Sequence, residues 1–313
     1  MVSRFRLGNA PCSWGTIEGT GTESERVPYT QMLDELVGAG YAGTELGDYG
    51  FMPTDAATLR AALETRNLTM LGAYVDVALA DPAALKAGLE LVLTVARLLE
   101  SVADVGDLDW QPYLVLADVH SHDPVRFQNA GRVAPEMALS DAAIETFADN
   151  ANALARAVRD ETGLETVFHH HCAGFVETPD EIARFLDLTD SELVGLVFDT
   201  GHYLYGGGGR DPDAVIEGLG RFRKRIRYVH FKDLDPDLAT AARQEGWDYK
   251  TAVGRGIFCE LGRGCIDFGA VTARLRGSGY RGWITVEQDV LPGMGAPKES
   301  ATRNREFLRT LGL

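Results

Sequence analysis

Short apolar runs rich in β-branched and aromatic residues recur along the chain, and most end in a residue that can bind a cation or move a proton. Between them lie longer stretches whose apolar positions repeat at helical spacing, so the pattern predicts strands alternating with helices. A first strand opens at Arg6 and breaks at Pro11, which places Cys12 and Trp14 at its carboxyl end. Met32, Leu33, Leu36 and Val37 mark a helix over 29–38 closed by Gly40, and a strand over 41–48 carries Glu45. A helix over 54–66, capped by Thr54 or Asp55, leads to a third strand over 68–75 with Tyr74 near its end. A long helix over 82–102 precedes a fourth strand that reaches Asp118. Ser140 caps a helix to about 161, and the fifth strand ends in His169, His170 and His171. On a strand His169 and His171 face one way and His170 the other, behind the sheet. Thr178, Pro179 and Glu181 form a helix start, with Thr as cap, Pro at the first position and Glu at the capping-box place.

The remaining strands carry the densest chemistry. Val194 to Phe198 runs into Asp199 and His202, and Arg227 to Val229 runs into His230, Lys232 and Asp233, with a helix over 212–223 between them. An eighth strand over 280–289 contains Glu287 and Asp289, and a helix over 298–311 closes the chain. Eight strands alternating with helices, without a linker or a second composition regime, read as an α/β fold, a single (β/α)8 TIM barrel domain over 1–313. Its long loops follow strands 4 and 7, at 120–139 and 234–264. Ligands of such barrels gather at the carboxyl ends of the strands, so these polar residues should share one face.

Composition narrows the partners. The formal net charge of −16 opposes a nucleic-acid partner, and the one basic run, Arg221 to Arg227, reads as a solvated turn. No apolar run is long enough to span a bilayer, and the first residues, Met1 to Arg4, lead into a strand rather than a signal-peptide core. A cytoplasmic protein acting on a small polar substrate is expected, with homo-oligomerisation left open. Four irregularly spaced cysteines argue against a disulfide scaffold and a thiolate zinc site. The imidazoles and carboxylates at the strand ends instead suit a divalent ion: Mn or Co first, with Mg, Zn or Fe as alternatives.

The runs Phe198 to His202, Val229 to Asp233 and Gly282 to Asp289 resemble the xylose isomerase-like barrels. The segments Asn9 to Trp14 and His169 to Pro179 look like that superfamily's inosose dehydratase branch. The resemblance implies a metal held from the last four strands, with Asp199, His230 and Glu287 as ligands. The fourth ligand is either Glu177 or a histidine of 169–171, and a hard cation favours Glu177. It further implies dehydration of an inosose (2-keto-myo-inositol) or a related keto-cyclitol or keto-sugar through an enediolate. Glu287, His171, Lys232 and His202 are the proton-transfer candidates, and Trp14, Glu45, Tyr74, His169 and Gln288 the substrate contacts. Epimerisation or isomerisation on the same site shares the intermediate and is the alternative.

Overall fold

The computed structural model describes residues 5–14, 27–209, 211–291 and 293–313; Met1 to Arg4 lie outside these. Its strands are β1 (Arg6–Asn9), β2 (Gly43–Thr44), β3 (Thr69–Met70), β4 (Gly72–Val77), β5 (Tyr113–Asp118), β6 (Thr166–His169), β7 (Val194–Asp199), β8 (Ile226–Phe231), β9 (Asp233–Leu234), β10 (Phe258–Cys259) and β11 (Trp283–Val286). Nine form a parallel sheet in the order β3-β2-β1-β11-β8-β7-β6-β5-β4. Leu71 lies between the two ends of that order. Its N–H donates to Thr44 O and its carbonyl accepts from Tyr113 N, so β3 and β4 are one interrupted strand and the sheet closes with eight positions. The α/β barrel expected from the alternation is thus present.

The helices are α1 (Tyr29–Ala39), α2 (Ala56–Glu64), α3 (Leu85–Glu100), α4 (Pro124–Gln128), α5 (Asp141–Thr162), α6 (Pro179–Leu188), α7 (Thr200–Gly206), α8 (Asp213–Arg221), α9 (Pro236–Glu245), α10 (Tyr249–Gly254), α11 (Phe268–Ser278) and α12 (Pro297–Thr310). The caps follow the residues that announced them. Asp55 accepts from Thr58 N, Ser140 from Ala143 N, and Thr178 and Glu181 form a reciprocal capping box. Gly40 ends α1 at φ +96°, a conformation that an L side chain rarely adopts.

The differences lie in the connections. The strand read over 41–48 pairs only at Gly43–Thr44. Asp199 caps α7, a helix that periodicity did not announce because its seven residues are all buried. The long segment after β8 is structured: it holds α9 and α10 and returns as β10 to pair antiparallel with β9. Asp233 anchors this segment. Its carboxylate accepts amides from Gly262 and Gly264 at 2.9 Å each and from Ile266 at 3.2 Å.

Inward-facing residues form two layers inside the barrel. Leu71, Val115, Val167, Val197, Tyr228 and Trp283 pack with Trp110 into a closed apolar layer toward the strands' amino ends. Two residues further along four of these strands come His169, Asp199, His230 and Thr285, and then Glu287 just beyond β11. Strand alternation therefore puts the polar residues on the inside, directly above an apolar floor.

Candidate active site

The layer above that floor lies on four neighbouring strands, β6, β7, β8 and β11. One nitrogen or oxygen each from His169, Asp199, His230 and Glu287 lies within 4.8 Å of the other three. Asp199 divides its oxygens. Oδ1 accepts the His202 N–H at 2.7 Å as the cap of α7, while buried Oδ2 has no hydrogen-bond partner among the described residues. The Asp-Thr-Gly-His run thereby acquires a physical reading. Thr200 Oγ1 donates to Lys232 O and accepts from Lys232 N, and a Cβ on Gly201 would lie 2.6 Å from Lys232 Cγ. His202 Nε2 stands 4.0 Å from Glu287.

His230 lies between two carboxylates: Nδ1 is 2.7 Å from Glu287 Oε2, and Nε2 is 2.7 Å from Glu45 Oε1. The Tyr228 hydroxyl donates to Glu45 at 2.8 Å. The fully buried Lys232 ammonium spans Glu287 Oε1 and Asp289 Oδ2, 2.8 Å from each, and faces the Phe258 ring. Burial alone would raise the Glu287 carboxyl; Lys232, His169 and His230 instead hold it well below the usual range. Burial would likewise lower Lys232, but Asp289, Glu287 and Asp199 push it well above the ordinary lysine value. Burial and the Glu287 charge raise Asp199 to about 6. A second grouping, Cys12, Glu287 and Asp289, already holds this ammonium between its carboxylates.

Glu177, the ligand candidate from sequence, lies elsewhere. It is fully buried, with Oε1 accepting from Gly131 N at 2.7 Å and Oε2 from Ala173 N at 2.8 Å. Its oxygens are satisfied by backbone, so His169 stands with Asp199, His230 and Glu287 in its place. His171 reaches the cavity: Nδ1 is 2.7 Å from Cys172 O, Nε2 is 3.4 Å from the Tyr249 hydroxyl, and its ring centroid is 4.0 Å from that of His202. His170 packs behind the sheet against Phe198 and Tyr203, as alternation requires.

Glu45, Tyr74, His169, His171, His230, Lys232 and Glu287 line one cavity of about 370 Å³. Trp14 does not: it is buried in the core, and its indole donates to Glu35 at 2.7 Å. The Gln288 amide turns to Phe258 O and Asn304. Tyr249 and Lys250 of α10 and Phe127 of α4 complete the wall, and the sequence reading did not single them out. They come from the two long loops, and loop length was their sole signal.

The buried donors fit a divalent cation. Among the described residues, Asp199 Oδ2 and both His169 nitrogens are without hydrogen-bond partners, which is costly unless something else occupies them. The set is imidazole and carboxylate without a thiolate.

A parallel α/β barrel that gathers imidazoles and carboxylates at the carboxyl ends of its strands has the layout of barrel enzymes. The chain belongs to the xylose isomerase-like TIM barrel family, whose match covers residues 33–311. It is 34% identical to an inosose dehydratase of Geobacillus kaustophilus, over 99% of this chain and 96% of that one. Among solved structures it resembles 3-keto-D-glucoside 4-epimerase from E. coli (TM-score 0.65, 18% identity, 99% of each chain). It also resembles the probable 3-DHS dehydratase AsbF from Bacillus anthracis (TM-score 0.68, 11% identity, 97% of this chain and 98% of that one). At such identities these two share its fold.

Proposed function

We propose that this protein is a divalent-metal-dependent lyase that dehydrates an inosose or a related keto-cyclitol. The observation that carries the reading is the full-length likeness to an inosose dehydratase. His169, Asp199, His230 and Glu287 would hold the ion, whose contribution is Lewis-acid polarisation of a substrate oxygen, making the neighbouring C–H acidic.

The protein's own residues supply the rest. His171, on the cavity wall, takes the proton from carbon, and the Tyr249 hydroxyl orients its Nε2. Lys232 and His202 are the candidates to protonate the departing β-hydroxyl, so that the proton and the hydroxyl leave as water. Lys232 also fixes the Glu287 carboxylate from the side opposite His230. Phe127, Lys250 and Val253 line the same cavity.

Incubating the protein and Mn or Co with 2-keto-myo-inositol should generate an ultraviolet-absorbing dione. No product with any of several divalent metals would overturn the reading. Solvent deuterium appearing in recovered substrate without loss of water would instead select an epimerase or isomerase.

A further inference from the structure

The basic run Arg221 to Arg227 plays no part in the catalytic cavity, and it splits two ways. Arg221 pairs with Asp180 at 3.1 Å, and Arg225 donates to the carbonyls of Leu186 and Val194. Arg223 and Arg227 turn instead to the barrel's amino-terminal mouth, where Arg6, opening β1, and Arg281, just before β11, join them around a cavity of about 570 Å³. Trp110, Tyr228 and Trp283 of the apolar floor lie between this mouth and the carboxylate and imidazole cluster.

Four guanidinium groups around one cavity repel one another unless negative charge lies among them. Acids answer part of this. Arg227 reaches Glu165 at 3.2 Å and Ser191 O at 2.6 Å, and Arg6 pairs with Asp107. Arg223 and Arg281, both exposed, have no hydrogen-bond or ion-pair partner among the described residues, and the remaining lining acid is Asp109. The concentration is notable in a chain of net charge −16, and guanidinium forks match the oxygens of a phosphate.

We propose that the amino-terminal mouth is a second ligand site, for a small phosphate-class oxyanion, gripped by Arg223 and Arg281 and separate from the catalytic cavity. The site does not depend on the reaction proposed above, because binding is read without turnover. Calorimetric titration of the full-length protein with inorganic phosphate, at constant ionic strength and without added metal, should saturate with one-site stoichiometry. In an Arg223→Ala/Arg281→Ala variant, whose exposed side chains can be removed without opening the core, Kd should rise at least tenfold, with unchanged circular dichroism and Tm. Arg255→Ala, which removes a positive charge at the end of α10, should leave the titration as it was. A titration that does not saturate, or one equally weakened by Arg255→Ala, or one unchanged in the double variant, overturns the proposal.

Discussion

At the scale of single residues, Lys232 is the pivot of the site. Its ammonium bridges Glu287 and Asp289 inside the barrel, and removing it leaves two buried carboxyl groups without the cation that lies between them. Lys232→Met should therefore lower stability by about 3–5 kcal/mol in urea unfolding as well as abolish turnover. An unchanged midpoint would show that the carboxylates find other compensation. Gly201 is linked to the same side chain. A methyl group there meets the Lys232 stem at 2.6 Å, so Gly201→Ala should cost about 1–3 kcal/mol by overpacking, read in the same experiment.

At the scale of elements, the turn from β6 to α6 is the most constrained. Ala173 and Val176 sit at φ +70° and +64°, left-handed values that are strained for residues with a Cβ. Buried Arg126 of α4 holds this turn, donating from Nε to Gly174 O at 2.8 Å and through both terminal nitrogens to Glu181 at 2.8 and 2.9 Å. Glu181→Ala removes the capping box and strands a buried guanidinium. It should cost about 3–5 kcal/mol and raise amide exchange across 171–178 before the rest of the barrel. Glu177, within this turn, has its carboxyl raised by burial to about 7, against the Arg126 charge and two backbone amides. A carboxyl raised on folding binds its proton more tightly in the native state. Its stabilisation is full below the unfolded value near 4.3 and is lost as pH rises through about 7. Over that interval Tm of Glu177→Gln should fall less than that of the parent; parallel profiles would refute the assignment.

For the whole molecule, an ion that binds the assembled cluster and not the unfolded chain stabilises by mass action, about 4 kcal/mol at a thousandfold excess over Kd. Chelator treatment should lower Tm, and added Mn or Co should restore it. The Asp199→Asn/His169→Ala variant should show no such rise and should retain less metal by elemental analysis. No helix among the described residues is long and apolar enough to cross a membrane.

The barrel was legible in the sequence because its information is local. Strand and helix periodicities, the caps at Asp55, Ser140 and Thr178, and the polar residues ending successive strands are all readable within a few positions of one another. Asp199, His230 and Glu287 could be placed together for the same reason, since a parallel barrel brings strand ends to one face. What lay beyond the sequence was where long side chains turn once the backbone is set. Glu177 was an acid at a suitable distance along the chain, yet the turn at Ala173 and Val176 delivers it to the Gly131 and Ala173 amides. His169, one residue from the outward-facing His170, meets Asp199 and Glu287 through pairings 30 and more positions apart. Tyr249 and Lys250 reach the cavity through the fold of a loop with no periodic signature. Periodicity fixes which face a residue takes; which atoms meet there depends on contacts distant in the chain, and those exist only when the barrel has closed.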